Sequence, residues 1–345
     1  MLACRVVSSP EQPSEQPSEP SARPGAPAKS PWVRGARRLA PWLVAVGIFA
    51  LVLARIPFDA FRAAIGRGDH VALAAVNLVL TPAVLCTDSL ATWLGLVAVR
   101  MTRPLAKVFV ARGATFLLVL INYAVWQGGF GYYLHRTGAT PLRAAGATLF
   151  LMGTNLAALL VATTLVWLAS STVLPAASMA YTLVGGCGAL ALYGVVIALR
   201  PGLLARRELF APLFSAGLRG HVLAMAARVP HVFVMVVGIW VAARAWGIAV
   251  PFGVGLAVIP VIVVAAALPI SPAGLGTTQA AMVYFFQAYA AGATEGERSA
   301  NVLAFSIAHF VYSTVTALLL GLGCAVLGRR LGAELVAPPA PESPA

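Results

Sequence analysis

Six long apolar runs constrain this chain more than any other feature. They occupy 39–55, 71–97, 144–169, 178–199, 221–246 and 300–327. A helix needs about 20 mostly apolar residues to cross the roughly 30 Å hydrocarbon core of a bilayer. Water is absent there, so every backbone N–H and C=O must pair within the protein, and runs of this length fold as helices. The surface chemistry agrees. The chain is 60% hydrophobic and only 10% charged, against about 25% charged in a soluble domain, and its mean hydropathy is +0.86. Too few charges exist to cover a water-facing surface. The expected fold is an all-α polytopic membrane helix bundle, with one membrane domain spanning 32–330.

The ends differ from this core. Residues 1–31, including "EQPSEQPSEPSARPGAPAKS", are rich in Pro, Ser and Glu and bury too little apolar area to fold, so a disordered tail is expected. Residues 331–345 form a second, shorter tail. No apolar stretch precedes Cys4, which argues against a cleavable signal peptide and gives the first span the role of insertion signal. Cys4, Cys86, Cys187 and Cys324 are isolated, with no CxxC spacing. They point to neither zinc nor a disulfide framework, and no metal or cofactor is expected.

Two further regions are apolar but interrupted. One is 108–133, broken at "WQGGFGYY"; the other is 251–291, broken within "LPISPAGLGTTQAAMVYFFQAYAAG". Lys and Arg decide how the chain threads. Arg34, Arg37 and Arg38 precede the first span, Arg100, Arg103 and Lys107 follow the second, and Arg329 and Arg330 follow the last. If each interrupted region leaves the membrane on the side where it entered, fourteen Lys and Arg face inward and five outward. The result is about six full spans plus two broken or re-entrant hairpins of opposite orientation. Both termini are then cytoplasmic, in a bacterial-type inner membrane. For 251–291 a re-entrant loop and a fully spanning hairpin both fit. The same pattern accounts for the net charge of +13. Arginines flank the apolar runs rather than forming a basic patch interleaved with aromatics, so nucleic acid is not the expected partner. Membrane lipids are, anionic ones above all. Residues 56–70 and 201–220 mix Leu, Ile and Phe with Arg; they fit either interfacial helices on anionic lipid or solvated loops with snorkelling arginines.

Several polar residues lie within apolar runs. Asp88 is the only acid between Asp69 and Glu208. It is either lifted to the interface by a kink at Pro82 or a functional intramembrane carboxylate. Arg112 and Arg228 either snorkel to headgroups or face a cavity and hold a phosphate. His231 and His309 read as packing residues, and Asn77, Asn122, Asn155 and Asn301 as interhelical hydrogen-bond partners. No P-loop, GxSxG or paired acids occur, so general acid–base catalysis has little to work with and an enzyme is not expected.

The second interruption has its own chemistry. Pro269 and Pro272 withdraw two backbone donors and end the preceding helix. Gly274 and Gly276 reach conformations closed to other residues. A helix restarts near Gly276, and Gln279 lies where its side chain reaches back to cap the entrance. Such an N-terminus aimed into the membrane offers an anion site; a tight turn between two spans is the other reading of the same residues.

"ALPISPAGLGTTQAAMVYFFQAYAAG" followed by "NVLAFSIAHFVYSTVTALLLGLG" resembles the C-terminal signature of the lysylphosphatidylglycerol synthase transmembrane-region family, whose members are flippase-like membrane domains. "INYAVWQGGFGYYLHRTGATPLRAAGATLF" resembles that family's upstream segment. The likeness covers roughly 40–328. Gln279 stands where the family usually has Glu, Trp126 stands near its Pro, and Gly131-Tyr132 replaces its Gly-acidic pair. The resemblance implies a stand-alone domain without the soluble aminoacyl-transferase part, which binds or translocates a phospholipid or polyprenyl-type lipid. On that reading Ser271, Gly274, Gly276, Thr277 and Gln279 hold an anionic headgroup from one side. Asn122, Gln127 and Gly128 line the other, and Arg112 and Arg228 draw the headgroup in. The alternative is a membrane subunit or scaffold of an enzyme that modifies lipids or the cell envelope.

Overall fold

A computed structural model describes residues 56–119, 121, 123–169, 177–267 and 274–331. The expected first span, both tails, Asn122, Ser271, Pro269 and Pro272 lie outside the described residues.

The described chain is helical throughout. α1 (Phe58–Arg67) leads into α2 (His70–Ala98), whose first turn is capped by Asp69 accepting from the Ala72 N–H at 2.9 Å. Then follow α3 (Leu105–Ala114), α4 (Tyr123–Arg136), α5 (Pro141–Ala169) and α6 (Ala177–Leu199). α7 (Ala211–Ala245) bends at Gly217, where φ is 57°. α8 (Phe252–Ala267), α9 (Thr277–Phe286) and α10 (Glu295–Leu331) complete the order. Among the described residues five helices, α2, α5, α6, α7 and α10, are long and apolar enough to cross a membrane. Their outward faces expose Leu78, Leu165, Val222 and Leu319, as lipid-facing surfaces do. The chain is an all-α, multi-pass integral membrane protein.

The two interrupted regions are hairpins. At 1.5 Å per residue, α3 and α4 extend about 15 and 21 Å, and α8 and α9 about 24 and 15 Å. None matches a roughly 30 Å hydrocarbon core. Each hairpin closes at its mouth. In the first, the Arg103 guanidinium donates to the carbonyl of Thr137 at 2.7 Å. In the second, the Ala249 N–H donates to the carbonyl of Tyr289 at 3.0 Å. The mouths lie at opposite ends of the bundle. Trp93, near the end of α2, donates to the Arg103 carbonyl. His70, at its start, packs edge-on against Trp246 and accepts from the Tyr312 hydroxyl at 3.2 Å.

The first break falls elsewhere than expected. "WQGGFGYY" is helical within α4, and the chain turns before it, after the 3₁₀ turn at Thr115–Leu118. Two of its three glycines, Gly129 and Gly131, serve close approach instead. A Cβ on Gly129 would lie 2.5 Å from Leu118 Cδ1, and one on Gly131 would lie 2.8 Å from Thr148 Oγ1. A glycine run therefore marks a packed helix face here, because a helix tolerates Gly at modest cost. The second break matches expectation: α9 restarts at Thr277, after Gly274 (φ 70°) and Gly276 (φ 86°). The α1 segment does not simply lie on lipid. Phe61 packs with Ile56, Ala300 and Leu303, while Phe58 stays exposed.

Two large apolar cores fill the bundle, beside the small cluster of Ile56, Ala300 and Leu303. One, around Trp246, Ile248, Phe286 and Phe305, lies toward the mouth of the second hairpin. The other, around Val108, Phe130, Tyr133 and Phe150, lies toward the mouth of the first. α5 gives Leu151 to one core and Leu159 to the other, with Asn155 between; α7 gives Ala224 and Val232, with Arg228 between. The seam between the cores carries the polar residues.

Candidate functional site

Asp88 is the centre of this seam. It lies ten residues before the end of α2, about 15 Å along the axis, and is only 4% exposed. The reading in which Pro82 lifts it to the interface is not what the fold shows: α2 continues through Pro82 and turns the carboxylate inward. Arg112 from α3 meets one carboxylate oxygen, with Nη2 at 2.6 Å and Nε at 2.7 Å from Oδ2. Arg228 from α7 meets the other, with Nη1 2.5 Å from Oδ1. Neither arginine snorkels. Arg112 lies eight residues into α3 and Arg228 eleven residues past the bend in α7. Their nearest strong partner is the carboxylate, because an unpaired charge in hydrocarbon is far costlier than a paired one.

Each arginine makes one further bond to a neutral side chain. Arg112 Nη1 donates to Gln127 Oε1 at 3.0 Å, and Arg228 Nη2 donates to Thr92 Oγ1 at 3.3 Å. The Arg112 guanidinium lies 5.3 Å from the ring centres of both Trp126 and Phe130, within cation–π range. Trp126 is itself fixed by donating from Nε1 to Thr115 Oγ1 at 2.9 Å. These contacts hold the guanidinium planes in place before any ligand arrives.

One carboxylate faces two guanidiniums, so the cluster carries one excess positive charge. Among the described residues no other acidic side chain pairs with either arginine. The cluster borders a cavity of about 190 Å³, equal to about six waters at roughly 30 Å³ each. Tyr123, Gln127, Asn155 and His231 add polar edges, and Leu151, Leu159, Met235, Val263, Ala266 and Ala267 supply apolar walls. Asn155 Oδ1 lacks a hydrogen-bond partner. His231 Nδ1 lies 3.4 Å from Thr87 Oγ1. Both hairpins line the cavity: Tyr123, Trp126 and Gln127 from the first, and Val263, Ala266 and Ala267 from the second. Buried excess charge beside an open volume gives a site for an anion, and two fixed guanidiniums suit the planar edges of a phosphate or carboxylate.

The expected site residues separate on this geometry. Arg112, Arg228 and Gln127 come together at the cavity. Gly128 lines a different cavity, with Tyr132 and His135. Gly274, Gly276, Thr277 and Gln279 do not line the central cavity, although Ala266 and Ala267, just ahead of their turn, do. Gln279 is buried, and its Oε1 accepts from the Gly276 N–H at 2.7 Å, the reach-back cap its spacing implies. The Thr277 hydroxyl donates within the turn, to the Gly274 carbonyl at 3.0 Å. Asn122 and Ser271 lie outside the described residues.

The other polar residues of the spans serve in different ways. Asn301 joins two helices by accepting from Trp246 Nε1 at 3.1 Å. Asn77, expected between helices, donates instead to Leu73 of its own helix. His309 stacks on Phe305 with centroids 5.6 Å apart. The sequence does not single out Tyr123 and Trp126 as site residues, and gives Asn155 only as an interhelical hydrogen-bond partner. The pairing of Asp88 had a readable signal. It is the lone acid of its stretch, and the two arginines within apolar runs are the charges available to neutralise it.

No protein-family model matches the chain, and no curated protein matches it in sequence.

Proposed function

We propose that this protein binds a membrane lipid by its anionic headgroup and translocates it, as a flippase-like transporter of a phospholipid or polyprenyl-type lipid. The observation that carries this reading is the Asp88–Arg112–Arg228 cluster, with its excess positive charge beside a cavity at the seam of two hairpins. The cavity has room for a phosphate-sized group and none for lipid chains, which would remain in the bilayer. Hairpins that open at opposite ends and meet at a central site are a recurring transporter plan. The resemblance of 268–292 and its flanks to the lysylphosphatidylglycerol synthase transmembrane region supports the same assignment. No ATP-binding motif is present in the sequence, which favours passive or ion-coupled movement.

Orientation follows from charge. Arg100, Arg103, Lys107, Arg136 and Arg143 flank the first hairpin's mouth, with Arg200, Arg206, Arg207, Arg219, Arg329 and Arg330 at the same end, against Arg62, Arg67, Arg244 and Arg298 near the other. The positive-inside rule assigns the first end to the cytoplasm of a bacterial-type inner membrane. Purified protein in liposomes should accelerate transbilayer movement of fluorescent phosphatidylglycerol more than of phosphatidylcholine. Arg228→Gln should lower the rate at least tenfold, which is about 1.4 kcal/mol in the barrier to movement. Folded protein that neither binds nor moves an anionic lipid would overturn the proposal.

A further inference from the structure

A second, larger cavity lies between α5, α6 and α7. It encloses about 540 Å³ and is lined by Phe150, Gly153, Leu190, Tyr193, Ile197 and Met225 among others. It shares no lining residue with the central cavity. α5 separates them: Leu151, Asn155 and Leu159 face the central site, while Phe150, Gly153 and Ala157 face the groove.

Water does not suit this groove. Its volume equals about 18 waters, and each buried water needs two to four polar partners. The polar side chains in the lining are already committed. Thr154 Oγ1 donates to the Leu151 carbonyl at 3.1 Å. His221 Nδ1 donates to the Gly217 carbonyl at 2.8 Å, so its Nε2 accepts from the Tyr193 hydroxyl at 2.7 Å. The remaining lining is Leu, Ile, Val, Met, Ala, Gly and Phe.

The wall is also open to the bilayer. Only 11% of the apolar window of α6 is buried, and Val222 and Leu218 of the lining are 62% and 48% exposed. At one end of the groove, Ile197 and Leu218 are followed within three residues by the exposed Arg200 and Arg219, Arg200 anchored by one donor, Nη2, on the Phe214 carbonyl at 2.6 Å. An apolar slot with a basic rim matches a lipid that has a hydrocarbon chain and an anionic head. We propose that this groove binds one acyl chain of an anionic phospholipid, which enters beside α6 with its phosphate at the Arg200–Arg219 rim. The inference stands on the apolar groove alone and does not depend on translocation through the central cavity.

Gly153 provides the test, because a Cβ there meets nothing within 4 Å and a large side chain would fill the groove without displacing backbone. The protein is reconstituted in nanodiscs with phosphatidylglycerol carrying a diazirine in its acyl chain, photolysed, digested and mapped by mass spectrometry. Label should concentrate on the peptides of Gly153, Leu190 and Met225, several-fold above the lipid-facing surface around Leu319. Gly153→Trp should remove that excess and leave the Leu319 label unchanged. Arg228→Gln should leave the groove label intact, which separates this site from the central one. Groove label no higher than at Leu319 in the unaltered protein would overturn the inference, whatever the folding of the variant. So would label unchanged in folded Gly153→Trp, or cross-linking of segment 39–55 or a second copy into the groove.

Discussion

The two hairpins share a plan and differ in chemistry. Each is a pair of short helices that opens at one end of the bundle and contributes to the central cavity. The α3–α4 hairpin brings charge: Arg112, held by Asp88 and Gln127 and stacked by Trp126 and Phe130. The α8–α9 hairpin brings an apolar wall, and two of its polar side chains bond within its own turn, Gln279 on the Gly276 N–H and Thr277 on the Gly274 carbonyl. A broken helix in a membrane must re-pair the backbone groups it frees. In its described part the second hairpin does so at Gly276 and Gly274 with Gln279 and Thr277. The first turns through a 3₁₀ segment and pairs Trp126 with Thr115 and Arg112 with Gln127 inside itself, but Arg112 also reaches across to Asp88 of α2.

This contrast can be broken experimentally, beginning with the largest effect. Asp88→Asn would leave two guanidiniums facing each other in a buried site. Loss of one partner from a buried ion pair typically costs about 3–5 kcal/mol, so this variant should lose its monodisperse fold in detergent. Recovery on adding phosphate or phosphatidylglycerol would show an anion replacing the carboxylate. Normal thermal stability in anion-free buffer would disprove the central role of the pair.

Arg112→Gln should be milder, because Asp88 keeps Arg228. The cluster becomes neutral, so titration calorimetry with short-chain phosphatidylglycerol should show affinity reduced at least tenfold, about 1.4 kcal/mol, with the fold retained. Unchanged affinity would move the anion site away from the first hairpin. Gly131→Leu comes next. It forces atoms into the 2.8 Å gap to Thr148, and overpacking of this kind costs about 1–3 kcal/mol. Chemical denaturation should show that loss.

The smallest effect is expected at Gln279. Gln279→Ala removes a cap worth about 1 kcal/mol, and Gln279→Glu should restore stability by making the same bond with a charge that suits a helix N-terminus. Neither should change anion affinity if the second hairpin is a wall. A tenfold loss of affinity in Gln279→Ala would instead give that hairpin the headgroup.

Much of this architecture was legible in one dimension. Apolar run lengths gave the long helices, and Lys and Arg placement gave two regions that return to their side of entry. Pro and Gly located the second break, because those residues act on the backbone where they stand. The first break was misplaced for a related reason. Glycines in "WQGGFGYY" read as breakers, yet Gly129 and Gly131 each remove a Cβ from a crowded contact, across the turn with Leu118 or with Thr148 of the next helix, and only packing reveals that.

Sequence by itself determined that the chain lives in a membrane, because hydrophobic length and charge scarcity are local properties that no packing can alter. It also determined that Asp88, Arg112 and Arg228 are costly wherever they lie within the spans. Only the tertiary structure decided that they meet. A buried charge selects its partner by distance in space, and the contacts here join residues 24 and 140 positions apart. The excess positive charge and the cavity beside it follow from that assembly, and the apolar groove behind α5 from the packing of α5, α6 and α7.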